Sequence, residues 1–148
     1  MVDMECNLES PFKEAFENGD SIDYKLVEGA KKTDHTFVKE LGYESHMNSD
    51  CSYSAAGLPG LSLSSYGDWG TIFVDRADYN VKKLFLDMCN EGIITPWRVR
   101  TYIREGKDVT TYDYDERGWT KHDNKLGKWV STESPYKKII FDYEKSYN

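Results

Sequence analysis

An α+β domain built on a mainly antiparallel sheet is the fold class this sequence predicts, and three observations carry it. One segment repeats apolar residues at the helical period, with Val81, Leu84, Phe85 and Met88 at i, i+3, i+4 and i+7. Several shorter segments alternate apolar and polar residues with period two, the pattern of a strand that buries one face. In the last third, short Gly- and Asp-containing turns separate these runs, and connections that short make neighbouring strands pair antiparallel. The chain has 148 residues, 39% apolar and 14% aromatic, enough for a single domain over 1–148 whose core needs no disulfide or metal staple.

Each element has its own signal. In SPFKEAFENGD, Ser10 is placed to cap, Pro11 suits the first helical position, and Phe12, Ala15 and Phe16 share a face before Asn18-Gly19 stops the turn, so a short helix is expected. Ile22, Tyr24 and Leu26 alternate with Asp23 and Lys25 in a half-buried strand. His35 to Leu41 fits neither pattern clearly. Residues 44–60 are small and polar, carry Gly57, Pro59 and Gly60, and read as a long loop and a candidate binding segment. LSLSSY and TIFV read as a hairpin whose turn is Gly67, Asp68, Trp69 and Gly70, with Trp69 at the tip.

The principal helix is expected at about 78–91, with Asp78 as N-cap and Gly92 as stop. Beyond it Trp97, Val99, Thr101 and Ile103 alternate with Arg98, Arg100, Tyr102 and Arg104, which puts three arginines on one face of a strand. VTTYDY, WTKH and KWVST continue as a meander around Gly106, Gly118 and Gly127, and KIIFDY at 138–143 offers a last strand.

Charge limits the partners. The 19 basic and 26 acidic residues leave a net charge of −7, and residues 1–80 sum to −9 against +2 for 81–148. Eight acids fall in the first 30 residues: Asp3, Glu5, Glu9, Glu14, Glu17, Asp20, Asp23 and Glu28. A negative field repels phosphates and anionic lipid headgroups, so nucleic acid is disfavoured as a direct ligand unless a local basic patch overrides it, and a protein partner with a basic surface suits the chain better. No apolar run approaches the ~18 residues of a membrane span, and the acidic start lacks the pattern of an export signal, so no membrane association and a cytoplasmic location are expected, that of the host if the chain is viral. Cys6, Cys51 and Cys89 form neither a disulfide framework nor a zinc spacing, which suits reduced thiols, with Cys89 on the core face of its helix.

No assembled active site is legible, and no cofactor or metal is implied. Phosphate-cradling glycine motifs and the G-x-S-x-G elbow are absent. His35, His46 and His122 lack metal-ligand spacing, though His46, Asp50 and Cys51 lie close in sequence. Asp113, Asp115 and Glu116 could supply a carboxylate pair but fall near a turn, where acids are normally solvated. Arg98, Arg100 and Arg104 could bind an anion, yet pairing with a cross-strand acid such as Asp113 is the favoured role.

The stretch SSYGDWGTIFV, in Tyr66, Gly67, Gly70 and Phe73, resembles the aromatic-glycine segment that ADP-ribosyltransferases place around the nicotinamide pocket. The resemblance covers under a dozen residues. It implies, as an alternative, a small-ligand or group-transfer enzyme using the 44–70 segment. That family's pattern also has an early His or Arg on a strand and a later catalytic Glu, for which this sequence offers no clear match.

The remaining signal is a surface one. Tyr66, Asp68, Trp69, Tyr112, Tyr114 and Trp119 fall in or beside turns or on short strands, where Tyr and Trp serve as rigid interface anchors. An acidic single domain with such anchors is expected to be a protein-binding module. Within that class an inhibitor or neutraliser of a partner protein, of the toxin-immunity or viral anti-defence type, fits best.

Overall fold

The first strand, β1 (Ser21–Leu26), occupies the middle of the sheet rather than its edge. Its Ile22 and Tyr24 are almost wholly buried, so the alternation seen in the sequence is the alternation of burial. The computed structural model describes residues 5–28, 45–47, 52–55, 61–64 and 69–137. The ambiguous segment from His35 to Leu41, the 138–143 run, and Tyr66, Gly67 and Asp68 lie outside the described residues.

Nine strands form one sheet in which every pairing is antiparallel. Besides β1 they are β2 (Ser45–Met47), β3 (Ser52–Ala55), β4 (Leu61–Ser64), β5 (Trp69–Phe73), β6 (Ile94–Glu105), β7 (Asp108–Asp115), β8 (Gly118–Asp123) and β9 (Lys128–Ser131). Their order is β2-β3-β4-β5-β1-β6-β7-β8-β9. Because β5 and β6 both run antiparallel to β1, they point the same way and need a crossover between them. That crossover is a 3₁₀ turn (Val74–Arg76) followed by the principal helix, and β1 fills the gap it leaves. The expectation of a long loop over 44–60 is corrected here, since Ser45–Met47 and Ser52–Ala55 pair as strands. Small polar residues hide a strand from a reading based on hydrophobic period.

Among the described residues two α-helices cover one face of the sheet. The short α1 (Phe12–Asn18) buries Ala15 and Phe16, and α2 (Tyr79–Asn90) buries Val81, Leu84, Phe85 and Met88 as the periodicity predicts, with Leu86 widening the stripe. Asp78 caps α2, its carboxylate accepting from the Val81 N–H at 3.0 Å. At the far end the Gly92 N–H reaches the Cys89 carbonyl and the Ile93 N–H reaches Met88, closing the helix with Gly92 at φ 74°. The start of α1 differs from expectation. Pro11 holds the cap position, its carbonyl accepting the first helical bond from Ala15, while the Ser10 hydroxyl donates to the Glu14 carboxylate at 2.7 Å.

Aromatic rings knit the helices to the sheet. Phe85 stacks on Phe16 at 6.1 Å between centroids and meets Tyr24 at 5.7 Å. A second chain of rings runs Phe12, Tyr114, Trp119, Tyr136, with successive separations of 5.9, 5.2 and 5.4 Å. Cys89 packs against this core, and burial with Cys6 nearby pushes its thiol up to about 12, a protonated and unreactive state at neutral pH. Cys51 lies outside the described residues.

Two contacts position the centre of the sheet. Tyr24 crosses over Gly70 and donates its hydroxyl to the Ser62 carbonyl at 2.9 Å; a Cβ on Gly70 would stand 2.4 Å from that carbonyl and 2.6 Å from the Tyr24 hydroxyl. Asp20, entering β1, accepts from Thr101 Oγ1 at 2.9 Å and from the Tyr136 hydroxyl at 3.0 Å, which pins the segment after β9 across β6. Burial pushes the Asp20 carboxyl above the usual carboxylate range, against the lowering effect of those two hydroxyls.

Gly70→Ala is therefore expected to destabilise the fold by about 1–3 kcal/mol through overpacking, read as a lower urea midpoint at unchanged slope. Asp20 binds its proton more tightly folded than unfolded, so its contribution is fullest in acid and is lost as pH rises through its folded pKa. Asp20→Asn keeps an acceptor for both hydroxyls without the buried charge. It is expected to be at least as stable as the wild type at pH 7, with the difference narrowing toward pH 4, as measured by urea unfolding across that range.

Candidate functional site

Among the described residues no element covers the sheet face opposite the helices, and the residues of that face fall in rows set by the strand register. One row runs Phe73, Ser21, Arg100, Asp113, Thr120, Ser131 across β5, β1, β6, β7, β8 and β9. A second runs Ser62, Thr71, Asp23, Arg98 from β4 to β6. A third begins with Trp69 beside Lys25, and on the other side of the central row Tyr102 stands beside Thr111 and His122 beside Trp129. Side chains of period two on one face produce this pattern directly.

An ion-pair network holds the middle. Asp113, nearly buried, takes the Arg98 guanidinium on Oδ2 and Arg100 Nε on Oδ1 at 3.2 Å. Arg98 also approaches Asp23 at 3.9 Å, and Asp23 in turn accepts from Thr71 Oγ1 at 2.7 Å. The sequence expectation that the arginine row pairs with Asp113 is met for Arg98 and Arg100, while Arg104 stands exposed further along the strand. The carboxylates weighed as an acid/base pair are engaged otherwise. Asp113 serves the arginines, and Asp115 is bound by Arg117, whose hydrogen bonds hold the carboxyl below its ordinary value.

A β-bulge re-aims one tryptophan. Asp23 pairs with Arg98 but the next residue, Tyr24, pairs with Pro96, so Trp97 is the extra residue on β6. The expected placement of Trp97 with Val99, Thr101 and Ile103 is thereby corrected. Its indole sits with Lys25, whose Nζ lies 4.2 Å above the ring, and with Trp69, Asp23, Leu26 and Arg98 it lines a groove of about 490 Å³.

The predicted anchors divide. Trp69 is 46% exposed on the open face, although it belongs to β5 rather than to a hairpin tip, because Trp69 and Gly70 already pair with β1. Tyr112 is buried, and Tyr114 and Trp119 are half-buried in the ring chain beneath the helices. Their expected surface placement is corrected by strand parity: each stands on the inner side of β7 or β8, and the helices that cover that side are remote in sequence. Tyr66 and Asp68 lie outside the described residues, as do Asp50, Cys51 and the side chain of His46.

Sequence reading missed the other exposed aromatics of this face, Phe73, Tyr102 and Trp129. The signal for Tyr102 and Trp129 was available, since each shares strand parity with charged or polar neighbours. Of the residues that carried the ADP-ribosyltransferase resemblance, Gly70 faces Tyr24 in the core and Phe73 faces the open side, so these two do not line a common pocket. Among the described residues no group of three or more His, Cys, Asp or Glu is placed to hold a metal ion, and no helix is long and apolar enough to cross a membrane.

No protein-family model, curated protein or solved structure matches this chain. Its function is therefore argued from its own surface.

The Arg98–Asp113–Arg100 network is expected to be structural. Asp113→Ala leaves two partly exposed guanidinium groups facing each other and is expected to cost about 1–3 kcal/mol. Comparing urea unfolding of this variant with that of the wild type at two salt concentrations measures the loss, and an unchanged midpoint would show the network to be idle.

Proposed function

We propose that this chain is a protein-binding module that neutralises a partner by covering the partner's functional surface, and that it docks through the open sheet face around Trp69. The observation that carries the reading is the exposed Trp69 indole beside Trp97, on a rigid sheet, with Lys25, Asp23 and Arg98 around it. Aromatic side chains held this way lose little conformational freedom on binding and make the strongest interface anchors. A sheet whose other face supplies the core leaves this one free for such use.

Charge supports the same reading at longer range. Among the first 30 residues Glu14, Asp20 and Asp23 accept hydrogen bonds within the fold, whereas Glu5, Glu9, Glu17 and Glu28 are exposed. With a net charge of −7, these acids favour encounter with a basic target, after which the aromatic contacts set the residence time. A blocker of the toxin-immunity or anti-defence kind needs no more than this, namely a stable scaffold, a steering field and a fixed anchor patch.

Trp69→Ala removes the anchor without touching the core. With the tagged chain as bait in lysate of its native cell or host, a stoichiometric basic protein is expected to be retained at low salt and lost at high salt. The purified complex is expected to weaken at least 30-fold with the Trp69→Ala variant, whose circular dichroism and urea midpoint stay at wild-type values. Equal affinity for the variant would remove this patch from the proposal, and an empty bait would remove the protein partner.

A further inference from the structure

A second groove on the open face, of about 440 Å³, is lined by Arg100, Tyr102, Val109, Thr111, His122 and Trp129, with Thr110 and Asn124 at its margins. We propose that it binds a nucleotide, the base seated between Tyr102 and His122 and the phosphate on Arg100. This does not rest on the partner proposed for the Trp69 patch, which lies on the other side of the central ion-pair row.

The register builds the slot. Tyr102 pairs with Thr111 on β7, and His122 stands one residue beyond the Tyr112–Lys121 pair, so the small Thr111 lies between two ring-bearing positions. Two strand spacings put the Tyr102 and His122 backbones about 9.6 Å apart. A planar group in van der Waals contact with a ring on each side needs about 7–8 Å, so one base fits and two do not. Thr111 adds a hydroxyl to the floor, able to meet a base edge as donor or acceptor.

The His122 wall is held. His122 Nδ1 lies 2.9 Å from Asn124 Oδ1 and its ring meets Trp129 edge-on at 5.6 Å. An amide oxygen only accepts, so Nδ1 carries the proton, and Nε2 is the nitrogen left to face a ligand. Tyr102 is 58% exposed and stands in the same groove lining as Arg100. Stacking on such rings is tolerant of base identity and contributes on the order of a tenfold or greater change in affinity per base.

The two ends of the slot differ, which orients the ligand. Arg100 stands two residues from Tyr102, at the end nearer the central row, with Nε on Asp113 at 3.2 Å and its side chain in the groove lining. Asp113 and Asp23 together match the charge of Arg98 and Arg100, so this end offers guanidinium N–H donors rather than a net charge. Val109, 48% exposed, closes the opposite end with an apolar surface, its strand partner Arg104 lying outside the groove lining. A phosphate is therefore placed at Arg100, whose guanidinium lines the groove, and the base edge over Val109. A guanidinium beside aromatic rings holds a phosphate by directed N–H bonds, which act locally on an otherwise acidic chain.

The test uses AMP and UMP as probes, with adenosine and inorganic phosphate as single-feature controls, titrated into the ¹⁵N-labelled wild-type chain at low salt. Saturable shifts are expected at the Trp129 indole N–H and the Tyr102, Thr111 and His122 amides for both nucleotides, with adenosine and phosphate each binding at least tenfold more weakly. Tyr102→Ala, which removes a side chain outside the core, and Thr111→Phe, which fills the slot, are each expected to weaken AMP at least tenfold at unchanged fold. Trp69→Ala is expected to leave AMP binding intact. The proposal is overturned if no saturable shift develops by 10 mM nucleotide, if the shifts map away from these residues, or if Tyr102→Ala binds as the wild type does.

Discussion

Burial of β1 between β5 and β6 is the constraint on which the rest of this molecule depends. Ile22 and Tyr24 can be shielded from water only if something covers their face, and Phe85 of α2 does so while Phe16 of α1 packs beside it. The crossover that carries α2 from β5 to β6 is possible because β1 separates two strands of like direction. Once Tyr24 lies on Gly70 and its hydroxyl reaches the Ser62 carbonyl, the β4–β5 side is tied to the centre. Asp20, holding Thr101 and Tyr136, ties in the other side and the segment that follows β9.

From that one-sided packing the functional surface follows. Both described helices cover the inner face, so among the described residues the outer face of a large sheet meets solvent and every second residue of its strands becomes surface. On such a face isolated charges do little, but the Asp113 carboxylate of β7, shared by two arginines of the neighbouring β6, holds the guanidinium groups in place. Rigid aromatics on either side of that network then form two separate patches, one around Trp69 and Trp97 and one between Tyr102 and His122. The bulge at Trp97 adds to the first patch by turning an indole that simple alternation assigns to the core.

Much of the fold was legible because its signals are local. The α2 periodicity, the Asp78 cap, the turns around Gly106, Gly118 and Gly127, and the alternation in β1 and β6 depend on residues within a few positions of one another. β2 and β3 were not legible, since Ser45–Met47 and Ser52–Ala55 are short and carry little hydrophobic contrast. The candidate site was legible in part. Trp69 and the Arg98–Asp113 and Arg100–Asp113 pairings were anticipated, whereas Tyr112, Tyr114 and Trp119 belong to the inner face, because the parity of a strand does not say which side the helices will choose.

What the sequence by itself determined is the set of elements and the two-sidedness of each: the helical stripe, the strand alternation, the hairpin turns and the acidic balance. All of these are fixed by side-chain chemistry within a few residues. What only the tertiary structure decided is the central place of β1, the face the helices cover, and therefore which aromatic residues are core and which are surface. Those depend on contacts between residues such as Asp20 and Tyr136, 116 positions apart. No local pattern encodes a contact of that range, because its free energy appears only when the whole sheet has closed around it.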